Sequence, residues 1–453
     1  MNLPSYFIAD LPAEATLSPG MLTEACQAVR RNRAQYLAPC PTQAVVDVLA
    51  ELAHNWLQPD DPFRQIALEQ GPAATGFSRA TLERGLDCFF RRMTYAELTN
   101  LLHQELGHVE RLDRFVVTEP ELKSGRTALA TGPRLLVHFA AGNIPSPSLM
   151  SIALGFLARS AQFVKCARGN DLLPRLYAHS LYAIEPKLAS CLELATWPGG
   201  HPALEAALFD QADCVTATGA DRTLADIRSR LPQRVRFLGY GHRVSFGYLT
   251  REVLSRFHAR ELAAQAACDV AAWDQLGCLS PHLFYVEHGG SVTPEFFAQL
   301  LAEELAQLES TQPRGLPPPQ VSAHLASRRS LYSLRAAHDP GTRVWTSPGS
   351  TAWTVVLEGD PRFQDSCLHR FIYVKGVADP RDAFQAAAAV QETVSTVALA
   401  AMGSRAQELA VEFGRWGVTR LCALGRMQDP PLTWRHDGRP SLGDLVTWTD
   451  WEQ

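Results

Sequence analysis

Apolar residues recur along this chain at one of two spacings, and the spacing changes near residue 114. Before that point it is helical. Met21 to Tyr36, Thr42 to Asn55 and Tyr95 to Leu106 carry apolar residues every third or fourth position, and Ser18-Pro19-Gly20 is a suitable start for the first of them. After it, short apolar runs take over. Arg114 to Thr118 and Thr127 to Ala130 read as strand pieces around a polar turn, Glu119 to Gly125. Arg134-Leu135-Leu136-Val137-His138-Phe139 is a continuous apolar run, the pattern of a strand buried on both faces of a parallel sheet. Strands are then expected at Gln162–Cys166, Cys191–Thr196, Cys214–Thr218 and Val235–Leu238, with helices at Ser148–Leu157, Leu173–Ala189, Ala203–Phe209 and Arg222–Leu231 between them. This alternation with short loops predicts a doubly wound α/β sheet.

A second α/β stretch follows. It predicts helices at Arg251–Val270, Pro294–Glu309, Val321–Ala337, Pro380–Ala389 and Thr396–Phe413, and strands at Leu283–Glu287, Thr342–Trp345, Trp353–Leu357 and Arg370–Val374. The proline-rich stretch Gln312 to Gln320 reads as a loop, and the tail Val418 to Trp448 alternates enough for one or two strands.

At 453 residues the chain exceeds one ordinary core, so two or three domains are expected. A net charge of −5 gives no reason to expect a nucleic acid or an anionic membrane as partner. No charged segment followed by an apolar one opens the chain, and the run Leu135–Ala141 is far too short to span a bilayer. The ten cysteines are scattered without a C-x-x-C pair, which argues against a zinc site or a secreted disulfide framework and for reduced thiols in the cytoplasm.

One of those cysteines stands apart. Asp274-Gln275-Leu276-Gly277-Cys278-Leu279-Ser280-Pro281 leads into the apolar run Leu283–Val286. Most cysteines are small buried hydrophobes, but one on a tight turn before a buried strand is held rigidly, as a thiolate nucleophile requires. Upstream, Ala141-Gly142-Asn143-Ile144-Pro145 leaves a buried strand for an apolar helix. Ligands bind at the carboxyl ends of strands in open α/β sheets, so Asn143 could donate to a developing oxyanion; an Asn in a left-handed turn is the competing explanation. Lys165 ends a strand and could meet a ribose hydroxyl or 2′-phosphate, unless it is an exposed strand-end lysine. Thr218-Gly219 links a strand to a helix whose amides could face a pyrophosphate. Gly239 and Gly241 belong to a second glycine-bearing turn, and neither stretch is a G-x-G-x-x-G fingerprint. There is no G-x-S-x-G elbow, H-E-x-x-H or P-loop, and Glu303-Glu304 suits a solvated face.

In order and kind, these motifs resemble the aldehyde dehydrogenase superfamily, and more closely the LuxC-type acyl-CoA reductases. The matching pieces are Gly142–Pro145, Phe163-Val164-Lys165, Ala217-Thr218-Gly219, Tyr240–Ser245, Trp273–Pro281 and the tail Trp434–Gly438 with Leu442, so the resemblance spans roughly residues 114 to 453. After the helical region 1–112 read from its periodicity, it implies an oligomerisation hairpin 113–133, a Rossmann-like cofactor-binding domain 134–249, a catalytic domain 250–421 and a tail 422–453 returning to the hairpin. It implies reduction of an acyl thioester, from acyl-CoA or an acyl-carrier protein, to an aldehyde with NADPH. Cys278 would be the nucleophile and Asn143 the oxyanion donor, while Lys165, Thr218, Gly219, Gly239 and Gly241 would bind the cofactor; no metal is implied. The partners implied are the acyl donor, further copies of the chain and an acyl-transferring protein.

Two departures from the superfamily pattern bear on chemistry. Hydrolytic aldehyde dehydrogenases have Glu-Leu-Gly where this chain has Phe237-Leu238-Gly239, and a phenylalanine cannot act as the base that activates water. No Glu-x-Phe-Gly-Pro stands near Leu368-His369-Arg370-Phe371. An aldehyde-oxidising enzyme and a non-catalytic acyl-binding partner remain the alternatives at this stage.

Overall fold

A computed structural model describes residues 3–12 and 14–452. It divides into two compact units: Met1–Thr75 with Leu86–Gly241 and Pro431–Gln453, and Gly76–Gly85 with His242–Pro430.

In the first unit the helical spacing of the opening region is realised. The helix Pro19–Asn32 is capped by Ser18, whose Oγ accepts from the Met21 amide, and buries Leu22, Cys26 and Val29 along one face. Strand β1 (Arg126–Thr131) lies outside the main sheet. That sheet is formed by β2 (Leu135–Phe139), β3 (Ala161–Cys166), β4 (Leu192–Thr196), β5 (Cys214–Thr218) and β6 (Arg236–Tyr240), all parallel, in the order β4-β3-β2-β5-β6. The reversal of strand order beside β2 is the switch point at which such sheets open a crevice. Leu135, Leu136 and Val137 are fully buried, which accounts for the unbroken apolar run. The one polar member, His138, is satisfied inside the sheet. Its Nε2–H donates to Gln162 Oε1 at 3.0 Å and its Nδ1 accepts from Thr216 Oγ1 at 2.7 Å; burial holds the ring neutral, with its pKa lowered to about 4.

The second unit holds β7 (Val244–Leu249), β8 (Pro281–Glu287), β9 (Arg343–Thr346), β10 (Thr354–Glu358), β11 (Phe371–Val377), β12 (Val394–Ala400) and β13 (Arg420–Cys422), in the order β13-β12-β7-β8-β11-β10-β9. All neighbours are parallel except β9 and β10. Four points differ from expectation here. Thr396–Phe413 is not one helix: its first part is β12, buried between β7 and β13, and the helix runs Gly403–Trp416. A short run buried on both faces does not alternate and cannot be told from the start of a helix by its period. The helix expected from Arg251 starts at Ala259, after a loop in which Phe257 is exposed. Strand β7 went unread, although all six of its residues are buried. The change of sheet lies between Tyr240 and Val244, one strand ahead of the expected boundary at Leu249.

The tail returns to the first unit as β14 (Thr447–Glu452), antiparallel to β1 with Arg126 opposite Glu452 and Ala130 opposite Trp448. The expected polar turn before β1 contains a four-residue helix, Glu119–Leu122. Glu121 accepts from the Thr118 amide and pairs with Arg111, which brings its pKa down to about 2 against the opposing effect of burial.

Candidate active site

Cys278 is half-buried at the amino end of β8. Its turn is fixed from every side. Ser280 donates its amide to the Gly277 carbonyl at 2.9 Å, and the buried Ser245 hydroxyl donates to the Cys278 carbonyl at 2.9 Å. Gln428 Nε2 donates to Ser280 Oγ at 2.7 Å and packs against Gly277, so a side chain at residue 277 would have to displace the Gln428 amide from this bond.

Three residues just before this turn, Trp273, Asp274 and Gln275, have φ of 50°, 49° and 67°. A second run, Leu368, His369 and Arg370, has φ of 60°, 53° and 65° just before β11. Left-handed backbone costs a non-glycine residue about 1–2 kcal/mol, so both runs persist only because their surroundings over-determine them. The side chains show how. Arg370 donates from Nε to Asp274 Oδ1 at 3.0 Å and places Nη2 2.8 Å from the same oxygen. Its Nη1 reaches Glu309 Oε2 and the Gln312 carbonyl, each at 2.9 Å. Asp274 Oδ2 accepts from the Gly315 amide at 3.0 Å. Gln275 Nε2 donates to the carbonyls of Pro281 at 2.8 Å and Phe371 at 3.0 Å. Trp273 packs edge-on against Phe77, with ring centroids 5.2 Å apart.

His282, the second residue of β8, is also at this amino edge. Its Nδ1 accepts from the Ser366 amide at 3.0 Å, which places the proton on Nε2. Burial first, and His242 as well, lower its pKa to about 4 against the pull of Asp365. Neither His282 nor Arg370 carried a sequence signal of a role, because what singles them out is partners 84 and 96 residues away.

The remaining candidates gather at the carboxyl edge of the five-stranded sheet. Asn143 is exposed in the loop between β2 and the helix Ser146–Leu157, and it does not adopt the left-handed conformation. The loop is tied down by Asn170 Nδ2 donating to the Gly142 carbonyl at 2.6 Å and by the Ala140 amide donating to the Lys165 carbonyl at 3.0 Å. Lys165 is not an exposed strand-end lysine. It is only 9% exposed, with Nζ 5.8 Å from the centre of the Trp197 ring. Burial lowers its pKa, and Glu205 opposes the change. Glu205 is itself buried, accepting from the Gly200 amide at 3.0 Å and pairing with Arg230.

Thr218 ends β5, and the Gly219 amide that follows donates to the Tyr240 carbonyl at 3.2 Å. Gly239 and Tyr240 lie within β6 rather than on the expected turn, and the Gly239 carbonyl accepts from Arg439 at 3.0 Å. Gly241 is pressed against Asp221, whose carboxylate occupies the space a side chain would need. The tail motif packs here too, with His436 stacked on Tyr240 at 4.5 Å. Phe237 turns into the apolar layer that contains Leu224, Ile227 and Val235.

The family model for acyl-CoA reductase (LuxC) matches residues 37–448. The chain belongs to the LuxC family. Its relatives include the long-chain acyl-protein thioester reductases of Vibrio harveyi, 23% identical over 64% of this chain and 57% of that protein, and of Aliivibrio fischeri, 22% identical over 63% and 56%. The chain thus spans little more than half the length of these relatives. Among solved structures it is similar to the putative aldehyde dehydrogenase PutA of Anabaena variabilis, with 15% identity, a TM-score of 0.68, and 96% of this chain and 93% of that one covered. It is also similar to an NAD-dependent benzaldehyde dehydrogenase of Corynebacterium glutamicum, with 13% identity, a TM-score of 0.67, and 98% and 94% covered. This LuxC-family chain therefore has the α/β fold of the aldehyde dehydrogenases, as its motif order implies.

Proposed function

We propose that the chain reduces a long-chain acyl thioester to the aldehyde through an acyl-enzyme on Cys278, with NADPH as reductant. The observation that carries this reading is the rigid Cys278 turn in a chain of the LuxC family. The Cys278 thiolate attacks the thioester carbonyl carbon. The carbon–sulfur bond to the donor thiol (CoA or a carrier-protein pantetheine) breaks, and that thiol leaves with a proton. Asn143 has the role of donor to the developing oxyanion. With Phe237 in an apolar layer, no carboxylate stands at that position to activate water.

The carboxyl edge of the five-stranded sheet suits a dinucleotide. Beside Lys165, the buried Trp197 Nε1 has no hydrogen-bond partner among the described residues. Thr218 and Gly219 precede the helix Asp221–Arg230, whose amino end favours an anion. Lys165 would hold the adenosine ribose or its 2′-phosphate and Thr218-Gly219 the pyrophosphate. When bound, the reduced nicotinamide supplies the hydride that releases the acyl group as aldehyde. Gly239 and Gly241 would contribute by close packing of β6 and its neighbours.

We further assign β1 and β14, with Trp448 and Trp451 exposed, to assembly with further copies of the chain. The acyl donor would be acyl-CoA, a carrier protein or an acyl-transferring partner protein, with the reaction taking place in the cytoplasm. No helix among the described residues is long and apolar enough to cross a membrane.

The test is direct. Acyl-labelled long-chain acyl-CoA is supplied without cofactor and the adduct located by peptide mass; NADPH or NADH is then added and the product identified. Adduct on Cys278 followed by aldehyde is expected. Release of free acid without cofactor, or an adduct on another residue, overturns the reading.

A further inference from the structure

The two left-handed runs are far apart in sequence, yet their side chains interlock. Asp274 stands four residues before Cys278, and its carboxylate is held by Arg370 from the other run and by the Gly315 amide. Both Asp274 and Arg370 are buried, at 2% and 1% exposed. The neighbouring Gln275 makes the complementary link, from the first run to the carbonyl of Phe371, which directly follows the second. Two peptide segments in a conformation that neither favours alone are thus cross-bolted beside the cysteine turn. A buried charge pair is weak evidence of a contribution to stability, because desolvation offsets the attraction; what it does well is fix one arrangement.

We infer that Asp274 and Arg370 are a positioning pair: by locking these two runs together they hold the Cys278 turn in the geometry its nucleophile needs. This rests on the assignment of Cys278 as acyl acceptor. The pair touches no reacting atom. A cysteine displaced by about 1 Å loses on the order of a hundredfold in rate, so loosening the pair acts on the chemical step and leaves substrate binding alone.

The experiment compares wild type with Asp274→Asn, Arg370→Lys and Glu358→Gln. Arg370→Lys keeps the charge and removes the fork. Glu358→Gln is the control: Glu358, on β10, is 3% exposed and pairs with Arg335 Nη2 at 2.7 Å, touching neither run. For each protein the thermal midpoint is measured. Below that temperature, acylation of Cys278 by a labelled long-chain acyl-CoA is followed as maximal rate constant and half-saturation concentration. In Asp274→Asn the rate constant is expected to fall roughly tenfold to a hundredfold at unchanged half-saturation, with a smaller fall in Arg370→Lys and none in Glu358→Gln. A purely structural pair would lower the midpoint in all three variants and the acylation rate in none; wild-type rates in folded Asp274→Asn and Arg370→Lys overturn the inference. If Asp274→Asn does not fold, Arg370→Lys decides by the same measurement. If wild type forms no adduct on Cys278, the proposed function fails, and the inference is then judged by the rate at which iodoacetamide alkylates Cys278. A rate changed in Asp274→Asn or Arg370→Lys relative to Glu358→Gln upholds the pair, and an equal rate overturns it.

Discussion

The two sheets of this molecule place candidate chemistry at opposite edges and secure it by opposite means. In the five-stranded sheet, Asn143, Lys165 and Thr218-Gly219 all follow or end strands at the carboxyl edge. Their loops are short and tied by individual hydrogen bonds to backbone carbonyls, such as Asn170 to Gly142 and Ala140 to Lys165. In the seven-stranded sheet, Cys278, His282 and the run Leu368–Arg370 are at or near the amino edge. There the backbone is driven into unfavourable conformations and held by a buried network. The carboxyl-edge rule for open α/β sheets describes the candidates of the first sheet and would misplace the proposed nucleophile of the second. Binding a flexible dinucleotide tolerates adjustable loops, whereas holding a thiol for attack rewards rigidity.

The comparison can be broken first at Cys278. Cys278→Ala should abolish both acyl adduct and aldehyde formation with little change in thermal midpoint; near wild-type turnover in this variant would remove the nucleophile from the amino edge altogether. Asn143→Ala should lower the acylation rate by on the order of 10² to 10³ with a nearly unchanged dinucleotide KM, measured by steady-state kinetics. If only stability changes, the loop is a structural turn. Lys165→Ala should raise the KM for NADPH about tenfold and reduce the preference for NADPH over NADH. An unaltered KM would mean that the buried ammonium serves only the Trp197 and Glu205 neighbourhood.

Phe237→Glu sharpens the contrast from the other side. Since the ring packs in an apolar layer, a carboxylate there should cost about 1–3 kcal/mol in denaturant unfolding and bring no gain in acid release. Increased hydrolysis of the acyl adduct would show that position 237 does reach water near the thioester.

The last effect is on stability alone and concerns His138. Its pKa is about 4 in the folded chain against an ordinary 6.5, so the unfolded chain takes up a proton first as pH falls. The associated stability is fully present above pH 6.5 and is lost progressively toward pH 4, by up to about 3 kcal/mol. Glu193 and Asp269, both raised to about 7 by burial, act in the opposite sense, so the useful quantity is a difference. The gap in unfolding free energy between wild type and His138→Gln should narrow as pH falls from 6.5 to 4. A gap independent of pH would show that the ring is protonated in the sheet.

Much of this was legible in the residues. Apolar runs such as Leu135–Val137 gave away strands buried on both faces, and Gly277-Cys278 before β8 marked the turn. What stayed hidden has a physical cause. β12 lacks a period because it is buried on both faces, its polar Ser395 and Thr396 included. The left-handed runs are built from Trp, Asp, Gln, Leu, His and Arg rather than glycine or asparagine, so no local preference announces them. They exist through a contact across 96 residues of sequence, between Asp274 and Arg370. Gly239 and Gly241 are closely packed by Phe237 and Asp221, and in sequence a glycine needed for packing reads like one needed for a ligand.

The returning tail has a consequence in time. Arg236, on the last strand of the five-stranded sheet, donates to the carbonyls of Asp444, Leu445 and Val446, and Glu105 accepts from the amides of Ser441, Leu442 and Gly443. Nearly two hundred residues of the other unit, His242–Pro430, are translated before those partners exist. During synthesis, the seven-stranded sheet has all its strands while β1 still lacks its neighbour and Arg236 its acceptors. The unit begun first on the ribosome is therefore the one completed last.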